Sequence, residues 1–199
     1  ERYGISPDQL NAILLTHEHE DHIKGAFSFA NKYKVPIYLS HGTFKMCKKK
    51  INNNYDIHFN IINGTQSFMI NGIEVTPIPV PHDAREPFQF MFVSKFKSIA
   101  IITDLGFITN HLINTLKEIK GLVLEFNHDK KMLIDSDYPQ SLKDRVSGMY
   151  GHLENMESIK LLKAINYNGI KWIAAAHLSK KNNDENLVKG LISDATSKE

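Results

Sequence analysis

The stretch "LLTHEHEDHIKG" (residues 14–25) places three histidines and three acidic residues in six consecutive positions, directly after an apolar run. A solvated turn could carry such a cluster, but it would not explain why the cluster follows a buried strand so abruptly. Side chains alternate along an extended backbone, so we expect His17 and His19 to point to the same side. Asp21 and His22 follow after the chain has turned and can address a second point nearby. The spacing H-x-H-x-D-H therefore predicts metal ligands.

The composition sets broad limits on the protein. A chain of 199 residues fits one domain that is large enough to bury its own core. The formal net charge of +2 permits an anionic substrate without requiring one. A single cysteine, Cys47, excludes an internal disulfide and fits a reducing compartment. With no apolar run of membrane-spanning length, we expect a cytoplasmic protein that does not associate with membranes.

Short apolar runs alternate with longer amphipathic ones along the whole chain. The runs rich in β-branched or aromatic residues predict strands at 12–16, 36–40, 57–62, 73–80, 88–94, 98–103, 121–126 and 172–177. Apolar residues that recur at three and four positions predict helices at 22–33, 42–51, 108–119, 139–148, 155–166 and 184–195. The polar stretch 48–54 is expected to be a loop. This mixture predicts an α/β sandwich in which helices cover the sheets.

Unusual polar residues recur where the predicted strands end. The strand ends deliver a histidine or a carboxylate at five places: His17, His82, Asp104, Glu125 and His177. Loops at one edge of an α/β sheet are where rigid strands can aim several side chains at one point. A lone histidine at a strand end is more often a surface residue, but the combined set outweighs that interpretation. His41, His58 and His111 have no such companions, and we expect them at the surface.

Imidazole nitrogen and carboxylate oxygen suit zinc or manganese, and no cysteine competes for a ligand role. The expected ligands are seven strand-end or turn residues: His17, His19, Asp21, His22, His82, Asp104 and His177. One metal ion would take His17, His19 and His82. The other would take Asp21, His22 and His177, and the two oxygens of Asp104 could bridge both. Such a two-metal site can hold a hydroxide as the nucleophile and clamp a phosphodiester.

The motif "THEHEDHIKG" (16–25) is the signature of the metallo-β-lactamase fold, and the similarity extends along the chain. Further stretches resemble the YycJ/WalJ-type branch of that superfamily, whose members are regarded as bacterial nucleases acting on DNA. These stretches are "PVPHDAREP" (79–87), "TDLG" (103–106), "VLEFNHDKKML" (123–133), "YPQSLKDRVSGMYGHLEN" (138–155) and "AAAHLSKKNN" (174–183). The resemblance implies an αββα four-layer sandwich with its metal site at one rim. It also implies exonuclease activity, with DNA favoured over RNA, and the seven expected ligands fall on the family's ligand positions.

The resemblance implies roles for two further residues. In the tRNA-3′-processing enzymes of the superfamily, a glutamate and a later histidine form a proton-relay pair, and Glu125 and His152 occupy the similar positions here. A histidine oriented by a carboxylate can protonate the leaving 3′-oxygen. The expected catalytic residues are Glu125 and His152, together with Asp21 of the H-x-H-x-D-H motif. The alternative for His152 is a structural residue at a helix N-terminus, and the neighbours of Glu125 at 128 and 129 could support ligands or cap a helix.

The sequence departs from the family pattern at its beginning. The family normally places several strands before the H-x-H-x-D-H motif, whereas here the motif begins at His17. We therefore expect residues 1–199 to form a single metallo-β-lactamase-like domain without its opening strands. The sheet left exposed would tend to associate, which predicts a homo-oligomer.

Three functions are compatible with these residues. The first is a metal-dependent phosphodiesterase or nuclease. The second is a small-molecule hydrolase that uses the same site to cleave a thioester or a lactone. The third is a non-catalytic member of the fold that keeps a residual metal site. The ligands alone do not separate the first two, and the extended set of YycJ-like motifs favours the nuclease.

Overall fold

The computed structural model describes residues 4–95, 97–165 and 169–196. Residues 1–3 and residue 166, the end of one predicted helix, lie outside the described part. The chain divides into two compact units, of which the first comprises Glu1–Pro79 and Ala84–Ser94 and the second Val80–Asp83 and Lys95–Glu199. Among the described residues, no helix has the length and apolar character needed to cross a membrane.

The first unit contains a parallel and an antiparallel set of strands. The parallel strands are β1 (Ile13–Leu14), β2 (Ile37–Ser40) and β3 (Phe59–Ile62), in that order across the sheet. The antiparallel strands are β4 (Phe68–Ile70), β5 (Ile73–Pro79) and β6 (Phe88–Ser94). The helices are α1 (Glu20–Ile23), α2 (Ala26–Tyr33) and α3 (His41–Cys47), with 3₁₀ helices at Pro7–Gln9 and Lys48–Lys50.

Alternation along β1 explains how the first unit packs. Ile13 and Leu15 join the buried cluster that contains Phe27 of α2, whereas Leu14 packs on the cluster formed by β5 and β6. The parallel sheet thus buries one face under helices and the other under the antiparallel strands, as the period of two requires. The apolar run that precedes the histidine motif is therefore held on both sides.

The second unit is built on a parallel sheet in the order β7 (Lys97–Ile102), β8 (Gly121–Glu125) and β9 (Trp172–Ala176). Its helices are α4 (Asn110–Leu116), α5 (Lys130–Asp135), α6 (Gln140–Ser147), α7 (Asn155–Ala164) and α8 (Glu185–Thr196). Leu122 and Leu124 of the central strand are fully buried. Since the carboxyl ends of parallel strands share one edge, Asp104, Glu125 and His177 emerge side by side.

The predicted elements were wrong in several places. The helix predicted at 22–33 is two helices, because Gly25 between them has φ +82°, which glycine adopts without strain. The helix predicted at 42–51 ends as α3 at Cys47 and continues as the 3₁₀ helix, so residues 48–50 are not loop. Strand β4 was missed because three residues are too few for a periodic signal. Helix α5 was not predicted, although its N-cap residue Asp129 had helix capping as one alternative.

Candidate metal centre

The first unit gathers the residues of the H-x-H-x-D-H motif around the start of α1. His17 follows β1 and is fully buried, and its ring centroid lies 4.5 Å from that of His19 and 4.0 Å from that of His22. His19 is the N-cap residue of α1, with extended backbone angles that end the strand segment before the helix begins. The side chain of Asp21 is 71% exposed, and its Oδ2 lies 3.7 Å from Nε2 of His22. The motif therefore brings three imidazoles and a carboxylate together within the first unit.

Thr16 orients two of these imidazoles. Its Oγ1 lies 3.0 Å from Nδ1 of His17 and 2.9 Å from Nδ1 of His22. A hydroxyl oxygen has two lone pairs, so it can accept an Nδ1–H from both rings, and in that tautomer Nε2 is the nitrogen of each ring that could bind a metal ion. Thr16 was not among the predicted site residues, since a threonine at a strand end carries no signal in itself. Its position directly before the first histidine of the motif was the available clue.

The second unit places Asp104 two residues after the end of β7 and His177 directly after β9. Both have left-handed backbone angles, with φ +53° at Asp104 and +56° at His177. This region is uncommon for residues other than glycine and costs of order 1 kcal/mol or more, and such residues concentrate at functional sites. Oδ1 of Asp104 lies 3.3 Å from Nδ1 of His177, and the Asp104 side chain is 3% exposed. The two strand ends thus hold a buried carboxylate against an imidazole.

Glu125, at the end of β8, is fully buried and connects the polar residues of the second unit. Its Oε1 accepts hydrogen bonds from Nδ1 of His152 at 2.9 Å and from Nδ1 of His177 at 2.7 Å. Its Oε2 accepts from the backbone N–H groups of Leu105 and Leu153, each at 3.2 Å. Burial by itself would raise the pKa of Glu125, but the hydrogen bonds from the two imidazoles, together with their electrostatic attraction, outweigh burial and lower the pKa to about 2. Glu125 is therefore ionised, and it fixes the orientation of two histidines at once.

His82 is held by the segment that precedes α7. Its Nδ1 donates to the backbone carbonyl of Gly151 at 3.1 Å, and its Nε2 lies 3.3 Å from Oδ1 of Asp83. The other oxygen of Asp83 accepts from Nε of Arg145 at 2.7 Å. Burial lowers the pKa of His82, which favours the neutral imidazole that a metal ligand must be. A Cβ at residue 151 would collide with backbone carbonyls of α6, so the close approach of this carbonyl to His82 requires glycine.

The remaining candidates have more ordinary positions. Asp129 caps α5 by accepting from the backbone N–H of Met132 at 2.9 Å, which agrees with the helix-capping alternative. His128 is buried beside Asn127, and burial lowers its pKa to about 4, so it is neutral. The three unaccompanied histidines are exposed, as predicted: His41, His58 and His111.

One shared feature makes these histidines suitable for a metal ion. In four of them Nδ1 contacts an oxygen of the protein, namely Thr16 Oγ1 for His17 and His22, the Gly151 carbonyl for His82 and Glu125 Oε1 for His177. Metal-binding histidines characteristically have Nδ1 or Nε2 oriented in this way by an oxygen, while the other nitrogen binds the ion. In the second unit, carboxylate oxygens of Asp104 and Glu125 and imidazole nitrogens of His152 and His177 lie within 4.8 Å of one another. Imidazole nitrogen and carboxylate oxygen suit a divalent metal ion, and both units supply them.

The contact of Thr16 with two imidazoles leads to a prediction. We expect Thr16→Val to lower metal affinity about 10- to 100-fold, as the loss of a residue that orients metal ligands typically does. Competition with a chromogenic chelator measures this affinity. Thr65→Val is the matched control, because Thr65 is exposed and its hydroxyl donates to nearby Asn63. Equal metal affinity in the two variants would contradict the orienting role of Thr16.

Sequence comparison identifies relatives along most of the chain. Residues 3–173 match the family described as "Beta-lactamase superfamily domain". The protein named exodeoxyribonuclease YycJ, from Bacillus anthracis, is 32% identical over 189 residues, which cover 95% of this chain and 72% of the relative. This similarity confirms the predicted branch of the superfamily and the predicted enzyme class, a metal-dependent hydrolase.

Comparison of structures gives the same fold. The metallo-β-lactamase fold protein YhfI from Bacillus subtilis aligns with a TM-score of 0.75 at 15% identity, covering 98% of this chain and 75% of that one. Zn²⁺-bound PqqB from Methylobacterium extorquens aligns with a TM-score of 0.71 at 15% identity, covering 93% and 69%. The α/β metallo-β-lactamase fold expected from the sequence is confirmed. The chain belongs to the β-lactamase superfamily, in its YycJ/WalJ-type branch.

Proposed function

We propose that this protein is a metal-dependent nuclease that acts on DNA as an exonuclease. The observation that carries the proposal is the hydrogen bond between Nδ1 of His152 and the buried, ionised Glu125. A histidine held in this way has a fixed orientation and can act as a general acid. The name of the Bacillus anthracis relative, an exodeoxyribonuclease, supports DNA as the substrate.

The proposed metal ligands are those expected from the sequence: His17, His19, Asp21, His22, His82, Asp104 and His177. We propose two ions, zinc or manganese, since both accept imidazole and carboxylate. Zinc in the related fold of PqqB supports the first choice. When bound, such ions activate water and neutralise the charge that develops on a phosphodiester.

The protein's own residues supply the proton transfers. Asp21, whose carboxylate is 71% exposed, is proposed to accept the proton of the attacking water. As the bond between phosphorus and O3′ breaks, His152 donates its proton to O3′. Glu125 keeps the His152 ring in place and stabilises its positive charge before the transfer.

The alternative of a small-molecule hydrolase is less well supported by this arrangement. A thiolate leaves readily and scarcely needs an acid, whereas a sugar oxygen has a high pKa and needs one. A fixed proton donor such as His152 would add little to thioester cleavage. The third possibility, a residual site without catalysis, is also less well supported. The Glu125 carboxylate accepts hydrogen bonds from four donors, which is more than a non-catalytic site requires.

The number of ions is tested with Asp104, the proposed bridging ligand. Elemental analysis of protein loaded with zinc or manganese should approach two ions per chain in the wild type. In Asp104→Ala we expect the second ion and the nuclease activity to be lost together, because no other side chain would bridge. Wild-type protein that is folded and saturates at one ion would refute the two-metal proposal. Asp104→Ala with two ions and full activity would refute the bridging role.

A further inference from the structure

A cavity of about 390 Å³ lies in the second unit, next to the proposed proton donor. His152 forms part of its wall, and so does Gly106, which lies two residues after Asp104. The other walls come from α5, α6 and the beginning of α7. The cavity therefore begins where the proposed reaction would release its leaving group. None of the roles proposed above gives this cavity a function.

Part of the cavity wall suits a neutral, partly apolar group. Leu133 and Ile134 of α5 give an apolar surface, and Gln140 and Ser147 of α6 give polar groups. A sugar and a base combine these two characters, since a base has an apolar face and an edge that forms hydrogen bonds. The volume is of the size that small-molecule sites have.

The charges of the walls do not favour a phosphate inside the cavity. Two lysines, Lys130 and Lys143, and the proposed proton donor His152 in its charged form face three carboxylates, those of Asp144, Glu154 and Glu157. Nζ of Lys143 already donates to the backbone carbonyl of Ile134 at 2.6 Å. The walls therefore offer an anion no excess of positive charge, whereas an uncharged nucleoside needs none.

We propose that this cavity binds the nucleoside that carries the leaving 3′-oxygen. The inference rests on the proposed function, in which His152 protonates O3′, because the sugar that bears O3′ must then lie against His152. The phosphate that is attacked stays outside, and the sugar and base enter the cavity. The site would thereby hold the leaving nucleoside while the bond between phosphorus and O3′ breaks.

Thymidine is the probe that tests this site without catalysis. We expect thymidine, added to zinc-loaded protein, to shift the amide NMR signals of Gly106, Leu133 and Ser147, which line the cavity. Ile134→Trp should fill the cavity and weaken this binding about tenfold or more, which corresponds to roughly 1.4 kcal/mol. Ile134 is 60% exposed, so the variant should fold. Ile61→Trp is the matched control, because Ile61 is 48% exposed on β3 of the first unit.

DNA cleavage by the same preparations separates the inference from the proposed function. Loss of thymidine binding in Ile134→Trp but not in Ile61→Trp supports the site. Wild-type protein that cleaves DNA but shows no thymidine shifts at these residues would overturn the inference and leave the nuclease proposal standing. Thymidine binding in the cavity of a protein that cleaves no nucleic acid would keep the nucleoside site and overturn the proposed function.

Discussion

His152→Ala is expected to cleave DNA about 10²- to 10⁴-fold more slowly than the wild type, which is the usual contribution of a general acid. His152 contacts Glu125 through Nδ1 and is not a proposed metal ligand, so metal content should stay unchanged. Initial rates on end-labelled DNA, together with elemental analysis of the same samples, measure both quantities.

The acidity of the leaving group provides the control for His152. A nitrophenyl phosphodiester releases a stable anion that needs no proton, so His152→Ala should cleave it nearly as fast as the wild type. Equal rates of wild type and variant on DNA would show that His152 is not the proton donor. Equally large losses on DNA and on the nitrophenyl ester would assign His152 to another role.

Glu125→Gln is expected to reduce nuclease activity at least as much as His152→Ala and, unlike His152→Ala, to weaken metal binding. The reason is that Oε1 of Glu125 accepts from both His152 and His177, and only His177 is a proposed ligand. In Glu125→Gln, an NH₂ group replaces one of the two carboxylate oxygens. This NH₂ group would face two hydrogen-bond donors, either the two imidazoles or the backbone N–H groups of Leu105 and Leu153, and could not accept from them. A buried donor left without an acceptor costs about 1 to 3 kcal/mol, so the free energy of unfolding should fall as well.

The experiment compares Glu125→Gln with Glu74→Gln, which changes an exposed glutamate of β5. Urea unfolding gives the stability of each variant, chelator competition gives the metal affinity, and DNA cleavage gives the activity. The double variant Glu125→Gln/His152→Ala should bind metal as weakly as Glu125→Gln alone, because His152 is not a proposed ligand. If Glu125→Gln binds metal as tightly as Glu74→Gln, the link from Glu125 through His177 to the metal is wrong.

The positions of the candidate ligands were predictable because they depend on local periodicity. Alternation in the segment between β1 and α1, followed by the start of α1, brings His17, His19 and His22 together, and both features are visible in the motif. Strand ends likewise marked Asp104 and His177. The roles of the metal ligands themselves stay a proposal.

The contacts that orient these side chains were not predictable from local sequence. The hydrogen bond from His82 to the Gly151 carbonyl joins residues 69 positions apart, and that from His177 to Glu125 joins residues 52 apart. Such pairs depend on how strands and helices pack, which no local pattern specifies. The resemblance to other enzymes suggested the pair of Glu125 and His152, but it did not suggest that Glu125 also holds His177.

Helix α5 shows how a missed element affects the interpretation of a site. Its residues Leu133 and Ile134 form the apolar wall of the cavity beside His152. Helix capping was one alternative for Asp129, but no helix was predicted after it, and the contact of Asp129 with the backbone N–H of Met132 depends on that helix. The cavity could be recognised only once this helix was placed.

The most direct measurement is cleavage of 5′- and 3′-labelled DNA, duplex and single-stranded, by protein loaded with zinc or manganese, beside matched RNA and a thioester. Wild-type protein should shorten DNA from an end in a metal-dependent reaction, RNA should be a poorer substrate, and chelation should stop the reaction. A folded, metal-loaded protein that leaves every nucleic acid intact and hydrolyses the thioester would contradict the nuclease proposal.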